Sequence, residues 1–250
     1  MFSLLPAFAT AQGLSFTHSD SIANCPAGTV CSTNWSGFAV TGSGFTDVKG
    51  SWKVPSVTCS SSTTYSSYWV GIDGYSSNTV EQTGTDSDCS SGHGVYYAWY
   101  EFYPNPSITI NGFTVHPGDT ITAEVTYSGG HFTTTIKDGT QSFSTQGTVS
   151  GAARSSAEWI VERPALCNGH HCKLTSLSNF GTVSLGTDNT GVSQTNYAGV
   201  NGGPLATIGS YGSANIHRIT MVNNSGATLA LPSVLSADGT SFTETWYGSS

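Results

Sequence analysis

Two polar side chains in this sequence lie in strand-like segments whose neighbours are apolar, and both have groups that can do chemistry. Gln82 lies in segment 80–84 and Glu158 in segment 156–162. Burying an unpartnered polar group costs about 2–7 kcal/mol, so a strand keeps one where it is hydrogen-bonded, solvated or used. A glutamate beside a water can act as general base and then as general acid. An amide N–H can stabilise the oxyanion of a tetrahedral intermediate. Gln82 and Glu158 are therefore candidate catalytic residues.

Both candidates also have ordinary structural interpretations. Glu158 with Glu162 fits a solvated strand face, and Gln82 fits a structural amide. The sequence has no Gly-x-Ser-x-Gly elbow, no His-Glu-x-x-His helix and no Asp-Thr-Gly motif. Ser, His and Asp residues are all present, but no pattern singles out a triad. Spacing alone does not decide whether these two residues are catalytic or structural.

The elements that hold these residues are predicted to be β-strands. Segment 120–127 places Ile121, Ala123, Val125 and Tyr127 on one face and Thr or Glu on the other. Turn signals such as Asp-Gly and Gly-Gly separate the runs. Many short strands at this spacing predict an all-β sandwich of antiparallel sheets. Similar alternation occurs over 51–57, 95–103, 132–136, 158–163, 182–185, 216–222 and 242–247.

Alternation also assigns the candidates to strand faces. Trp159 and Val161 point opposite to Glu158 and are predicted to anchor that strand in the core, whereas Val80 shares the face of Gln82. Segment 95–103 is aromatic on both faces. We expect its Trp99 and Phe102 to pack in the core, and its tyrosines and Glu101 either to pack there or to line a groove.

Charge and composition limit the function classes. Seven Lys and Arg stand against fifteen Asp and Glu, giving a formal net charge of -8. A nucleic-acid-binding protein needs clustered cations to neutralise phosphates, so this class is excluded. With few cations, acid self-repulsion is limited, and a fold held by hydroxyl and amide hydrogen bonds is compatible with acid tolerance.

An even set of six cysteines predicts disulfides and an exported protein. Sequence proximity favours Cys25–Cys31 and Cys167–Cys172, which leaves Cys59–Cys89. The rival interpretation of 167–172 is a zinc site, but ligands packed this closely rarely reach one tetrahedral ion. A short apolar run over 1–12 resembles a truncated signal or propeptide remnant without a basic region.

The chain is predicted to form one principal domain. No interdomain linker or repeat separates parts of residues 34–250, and residues 1–33 form an N-terminal extension with a small disulfide loop. Segment 187–213, rich in Gly, Ser, Asn and Thr, is predicted to be a long surface loop. Asn34 and Asn223 begin glycosylation sequons. No run is long enough for a transmembrane helix.

Several linked motifs carry a family resemblance. They are Tyr-Trp-Val-Gly-Ile-Asp-Gly at 68–74, Glu-Gln-Thr-Gly at 81–84 followed by Asp86, Ala-Trp-Tyr-Glu-Phe-Tyr-Pro at 98–104 and Ala-Glu-Trp-Ile-Val-Glu at 157–162. Segments 34–37, 50–55 and 179–183 extend the match. In type and order these motifs resemble the glutamic peptidases, also called eqolisins, over roughly residues 34–185.

This resemblance implies a fold, an activity and a site. It implies a two-sheet, concanavalin- or jelly-roll-like sandwich with a concave substrate-binding face. The implied activity is that of a secreted acid endopeptidase, insensitive to pepstatin and free of metal or other cofactor. Gln82 would stabilise the oxyanion, and Glu158 would serve as base and acid. The residues implied to bind substrate are Trp69, Asp73, Gly74, Asp86 and Glu101.

The partners expected from these features are few. We expect an extended polypeptide substrate, a monomer, and neither a nucleic acid nor a membrane as partner. Two departures indicate a branch distinct from the fungal enzymes: Tyr97 stands where they carry Asp, and segment 73–82 is one residue shorter.

Two other classes compete with the peptidase. A carbohydrate-active or carbohydrate-binding sandwich would use an aromatic groove and paired acids, here Glu101 and Glu158. A catalytically inactive homologue would serve as a binding module, against which the intact Gln82 and Glu158 count.

Overall fold

The structure is a computed structural model, and it describes residues 11–12, 25–168 and 171–250. Within these ranges the chain is almost entirely β, with one short helix, α1 (Thr187–Thr190), and one 3₁₀ turn, Ile208–Ser210. The strands are β1 Ala11–Gln12, β2 Val30–Ser32, β3 Trp35–Thr41, β4 Phe45–Lys53, β5 Ser67–Ile72, β6 Val80–Ser90, β7 His93–Tyr103, β8 Ile108–Thr109, β9 Thr120–Ser128, β10 His131–Asp138, β11 Gln141–Gly147, β12 Ser156–Glu162, β13 Ala165–Asn168, β14 His171–Leu174, β15 Thr182–Leu185, β16 Tyr197–Val200, β17 Ala206–Thr207, β18 Ile216–Val222, β19 Thr228–Pro232 and β20 Phe242–Trp246.

The strands form two packed layers. One layer, which we call the site sheet, has the order β8-β7-β6-β5-β12-β3-β18, and the facing layer has the order β11-β10-β9-β4-β16. β19, β20 and β15 continue the hydrogen bonding from β18 to β4. These pairings are antiparallel, whereas β2 lies parallel to β18. The predicted all-β sandwich is confirmed.

The core lies between the two layers. Trp52 of β4 donates its indole N–H to Thr85 of β6 at 2.9 Å, and the Trp159 indole donates to the Lys49 carbonyl at 3.0 Å. Both bonds cross between the layers and satisfy the polar atoms of bulky buried rings. The large side chains of this core include Trp52, Trp159, Tyr68, Phe45, Phe132, Phe180, Ile72, Ile121 and Ile136.

Three disulfides fasten the edges of the fold. They join Cys25 to Cys31, Cys59 to Cys89 and Cys167 to Cys172, which are the pairs that sequence proximity favours. The last of them cross-links β13 and β14, which form a small separate sheet with β1. Since both sulfurs of that pair are bonded to each other, the zinc alternative for 167–172 has no free thiolates.

The prediction of a long loop over 187–213 is wrong. The segment contains α1, β16, β17 and the 3₁₀ turn, and β16 pairs with β4. The predicted domain begins at residue 34, but the site sheet also includes earlier residues, because β2 pairs with β18. The remaining extension and the signal-like run over 1–12 lie outside the described residues, apart from 11–12. In the described ranges, no helix has the length and apolarity to cross a membrane.

The two sequons differ in burial. Asn34 is fully buried, and its side-chain oxygen accepts a hydrogen bond from the Ser32 hydroxyl at 2.9 Å. Asn223 lies in a turn, where its side-chain oxygen accepts from the backbone of Ser225 and Ala227. Glycan attachment at Asn34 is therefore incompatible with the folded state.

Candidate active site

The site sheet has an outer face, turned away from the sandwich core. On β12, Trp159 and Val161 enter the core, and Ile160 packs on the outer face with residues of neighbouring strands. Strand alternation therefore places Glu158 and Glu162 on the outer face, and it places Gln82 there beside Val80, as predicted. The apolar members of this face are Trp35, Ala39, Trp69, Val80, Trp99, Ile160 and Ile219.

Strand register aligns the two candidate catalytic residues in one row. Gln82 lies opposite Gly71, and Gly71 in turn lies opposite Glu158 on its other side. Adjacent strands are about 4.8 Å apart, so the Cα atoms of Gln82 and Glu158 are about 10 Å apart. Gly71, between them, has no side chain. The amide and the carboxyl therefore lie on either side of a position without a side chain, against which the Trp69 ring packs.

Glu101 completes this row and holds the glutamine. It lies opposite Gln82, and its carboxyl Oε2 accepts a hydrogen bond from Gln82 Nε2 at 2.6 Å. A side-chain amide has two N–H groups, so the second one is available to a ligand. The sequence left Glu101 between groove wall and core packing, and the structure places it beside the candidate oxyanion donor.

Glu158 is a fully buried carboxyl, with an exposed fraction of 0%. Burial raises its pKa well above the ordinary value of 4.5. The Ser156 hydroxyl and the Tyr75 backbone amide lower the pKa by favouring the charged form, whereas the carboxyls of Asp73 and Glu81 raise it further. Water and substrate reach this group only when covering residues move apart.

Asp73 and Gly74 fix the end of β5 next to Glu158. The Asp73 carboxylate accepts hydrogen bonds from the backbone N–H groups of Arg154 at 2.6 Å and Ser155 at 2.8 Å. These bonds tie β5 to the segment that leads into β12. Gly74 has φ of 108°, and a Cβ there would lie 2.9 Å from the Trp35 ring. Asp73 therefore positions the strand of Glu158, and its predicted contact with substrate stays a prediction.

Trp69 forms part of the floor of the outer face. Its indole N–H donates to Glu162 Oε2 at 2.9 Å, and its ring packs edge-on against Trp35 at 4.9 Å. A Cβ on Gly71 would lie 3.1 Å from the Trp69 ring. The sequence interpretation of Glu162 as part of a solvated face is wrong, because this carboxyl is buried and orients Trp69.

Asp86 lies four residues beyond Gln82 on the same face and belongs to a hydrogen-bonded cluster. It accepts hydrogen bonds from Ser67 at 2.5 Å, Trp99 at 2.6 Å and Tyr97 at 2.7 Å. Tyr97 also contacts Asp88 at 3.0 Å. Burial raises the pKa of Asp86 to about 6, although these donors oppose the rise. Trp99, expected in the core, packs instead on this outer face.

Sequence reasoning missed several residues of this site. Glu162 accepts the indole N–H of Trp69, and Ser156 and the Tyr75 backbone affect the pKa of Glu158. The alternation of β12 already placed Glu162 and Ser156 on the face of Glu158. No local pattern indicated Tyr75, which comes from a loop. Within the described ranges, no group of three or more His, Cys, Asp or Glu residues is arranged to hold a metal ion.

The chain was also compared with known protein families and structures. Residues 33–231 match the family model described as the Peptidase A4 family. The chain belongs to the Peptidase A4 family. The resemblance to glutamic peptidases drawn from the four central motifs is thereby confirmed.

Individual proteins are similar to this Peptidase A4 chain in sequence and in structure. It is 36% identical over 166 residues to Scytalidopepsin B of Scytalidium lignicola, spanning 62% of this chain and 62% of that relative. The crystal structure of scytalido-glutamic peptidase with a transition-state analog inhibitor superposes with a TM-score of 0.70 at 25% identity, covering 86% of this chain and 98% of that one. SCP-B, an eqolisin complexed with the tripeptide Ala-Ile-His, gives a TM-score of 0.65 at 26% identity with the same coverage. The chain thus spans about three fifths of the curated relative's length.

Proposed function

We propose that this chain is an endopeptidase that hydrolyses protein substrates in acid, with Glu158 and Gln82 as its catalytic pair. The observation that carries the proposal is the strand register, in which Gly71 lies between Gln82 on one neighbouring strand and Glu158 on the other. Membership of a peptidase family supports the reaction class.

The reaction requires one proton carrier and one oxyanion donor. Ionised Glu158 removes a proton from a water, and the water oxygen attacks the carbonyl carbon of the scissile peptide. The carbonyl oxygen becomes an oxyanion, which accepts a hydrogen bond from the free N–H of Gln82. Glu158 then gives its proton to the leaving nitrogen as the C–N bond breaks. No covalent bond to the enzyme forms.

The pH dependence follows from the burial of Glu158. Because its pKa is raised well above 4.5, the ionised fraction grows as the pH rises toward that pKa. We expect kcat/KM to increase as the pH rises through the titration of Glu158, because only the ionised carboxylate can take a proton from water.

An extended polypeptide is the substrate that fits the outer face. SCP-B was solved with a bound tripeptide, and scytalido-glutamic peptidase with a transition-state analog inhibitor. The predicted substrate-binding residues stay as predicted: Trp69, Asp73, Gly74, Asp86 and Glu101. Three disulfides among the described residues support secretion, since such bonds persist in oxidising compartments.

The positions of Glu101 and Glu158 in the site sheet disfavour the carbohydrate-active alternative. Gln82 and Gly71 separate Glu101 from Glu158, so the two acids are three strand spacings or about 14 Å apart at Cα. A glycosidase needs both carboxyls at the scissile glycosidic bond. The Glu101 carboxyl also binds Gln82 directly.

The test is cleavage of a denatured protein between pH 2 and 7 in the presence of pepstatin and EDTA. Wild-type protein is expected to cleave under both inhibitors, and Gln82→Ala is expected to lose most of this activity. Gln146→Ala, on the facing layer, serves as the matched surface control. Absence of cleavage by folded wild-type protein, or its loss with pepstatin or EDTA, would contradict the proposal.

A further inference from the structure

Two aromatic rings stand at the end of the catalytic row. Tyr75 and His217 stack with ring centroids 4.5 Å apart and an interplanar angle of 25°. The His217 Nε2 lies 3.0 Å from the Thr41 hydroxyl, which fixes the other edge of the imidazole. Both rings are half-buried, whereas Glu158 is fully buried. The pair is thus an ordered and partly accessible surface.

Strand register places this pair next to Glu158. Ala39 lies opposite Glu158 on one side and opposite His217 on the other, so the Cα atoms of Glu158 and His217 are about 10 Å apart. Ala39 between them has only a methyl group. The Tyr75 backbone also lies near enough to the Glu158 carboxyl to affect its pKa. The row therefore runs from Gln82 through Glu158 to an aromatic wall.

The loop that carries Tyr75 is held at its start. The Asp73 carboxylate is bound by two backbone amides of the segment before β12. The Gly74 amide donates to the Ser77 hydroxyl at 3.0 Å, and that hydroxyl donates to the Thr79 carbonyl at 3.2 Å. Such bonds order a short loop, so Tyr75 is presented in a defined place.

We propose that Tyr75 and His217 form the wall of a substrate subsite on the Glu158 side of the scissile bond, and that this subsite rejects lysine and arginine. The inference rests on the proposed peptidase function. A histidine ring is a cation in acid, and a cation stacked on a tyrosine face is stabilised there. It repels a substrate cation placed beside it. Uncharged side chains lie against the rings without this repulsion.

The experiment uses pairs of peptides that differ by Lys or Gln at one position, covering the three positions on each side of the scissile bond. Wild-type kcat/KM for the Gln and Lys peptides is measured at pH 4. Wild type is expected to disfavour Lys at one position in particular. In His217→Gln, which keeps a hydrogen-bonding group near Thr41, the Gln-to-Lys ratio of kcat/KM at that position falls by about 15-fold, the size of Coulomb repulsion between charges about 10 Å apart near a surface.

Two further variants separate the stack from the charge. Tyr75→Phe keeps the ring and is expected to retain the wild-type Gln-to-Lys ratio, whereas Tyr75→Ala removes the wall and lowers it. The exposed His131 on the facing layer provides the matched control, and His131→Gln is expected to leave the ratio unchanged.

An unchanged ratio in folded His217→Gln and in Tyr75→Ala, with wild type still cleaving, would overturn the subsite and leave the peptidase proposal standing. If His217→Gln lowered the Gln-to-Lys ratio of kcat/KM equally at every peptide position, the subsite would also be overturned, since a wall contacts one substrate side chain. Failure of wild type to cleave any peptide would overturn both proposals.

Discussion

At the scale of single residues, Gln82 is suited to stabilise an oxyanion because another residue holds it. Glu101 takes one amide N–H at 2.6 Å, which fixes the plane of the amide and leaves the other N–H available. Both side chains have an exposed fraction of 0%, so water does not compete for the donor in this conformation. A donor that needs no reorganisation stabilises developing charge most effectively.

Removing this donor is expected to lower kcat by about 10²–10³-fold in Gln82→Ala, with a smaller effect on KM. Glu101→Gln keeps an acceptor for the Gln82 amide and is expected to cost less than Gln82→Ala. Steady-state kinetics on one peptide measures both, with Gln146→Ala on the facing layer as control. A change in KM alone for Gln82→Ala would contradict a role in the transition state.

The residue types and strand faces of this pair could be predicted from the sequence. Alternation placed Glu158 on the strand face opposite to that of Trp159, and it placed Gln82 on the same face as Val80. Both placements are confirmed. Their partners could not be predicted, because the contact of Gln82 with Glu101 depends on the register of β6 against β7. That register is set by the turn between the two strands, which strand alternation alone does not report.

At the scale of the strands, two glycines on neighbouring strands have different tasks. A Cβ at Gly71 would lie 3.1 Å from the Trp69 ring and 3.2 Å from Gln82 Cβ, between the two proposed catalytic side chains. A Cβ at Gly84 would lie 2.1 Å from the Tyr68 carbonyl oxygen, which is backbone and cannot turn aside. Gly71 leaves room for the Trp69 ring beside Gln82, whereas Gly84 lets two strands approach.

The two substitutions to alanine are expected to separate activity from stability. Gly71→Ala should lower kcat/KM by about tenfold or more, because a misplacement of about 1 Å can cost 10²-fold, with a small loss of stability. Gly84→Ala should destabilise by about 1–3 kcal/mol or more, as overpacking does. Urea unfolding and peptide kinetics on the same preparations check both. A stable Gly84→Ala, or a fully active Gly71→Ala, would contradict this division.

Strand existence could be predicted wherever alternation was long, as over β9 and β10. The prediction of strands from alternation failed in 187–213, where β16 has four residues and β17 has two. Such short strands exist because β4 offers hydrogen bonds to β16, and no local alternation reports that. Tertiary pairing overrode a loop-like composition there.

At the scale of the whole molecule, buried acids give the fold a preference for low pH. Burial raises the pKa of Asp47 to about 7 and of Glu81 to about 9, and it also raises the pKa of Asp88 and Glu244. Each folded pKa lies above the unfolded value near 4, so the folded state binds more protons between the two. The resulting stability is complete below pH 4 and is lost as the pH rises through the folded pKa values.

The free energy of unfolding is therefore expected to be highest at pH 3–4 and to fall steadily between pH 5 and 9. Urea unfolding across that range measures it. Glu81→Gln removes one titrating group of similar shape and should flatten the fall, whereas Asp188→Asn, at an exposed carboxyl in α1, should leave it unchanged. Stability that rises from pH 4 to 8 would contradict this account. The few cations of the sequence are compatible with acid tolerance, but which acids are buried depends on the fold.

The most direct test of the central claim is the effect of Glu158→Gln on turnover and on binding, measured separately. The substitution keeps the shape of the side chain and removes its ability to carry the proton. We predict that kcat falls by at least about 10³-fold, while the dissociation constant for an uncleaved peptide changes by less than about threefold and the urea midpoint at pH 4 is retained. Peptide cleavage by purified Glu158→Gln at a rate near that of wild type would contradict the assignment of Glu158 as the catalytic base.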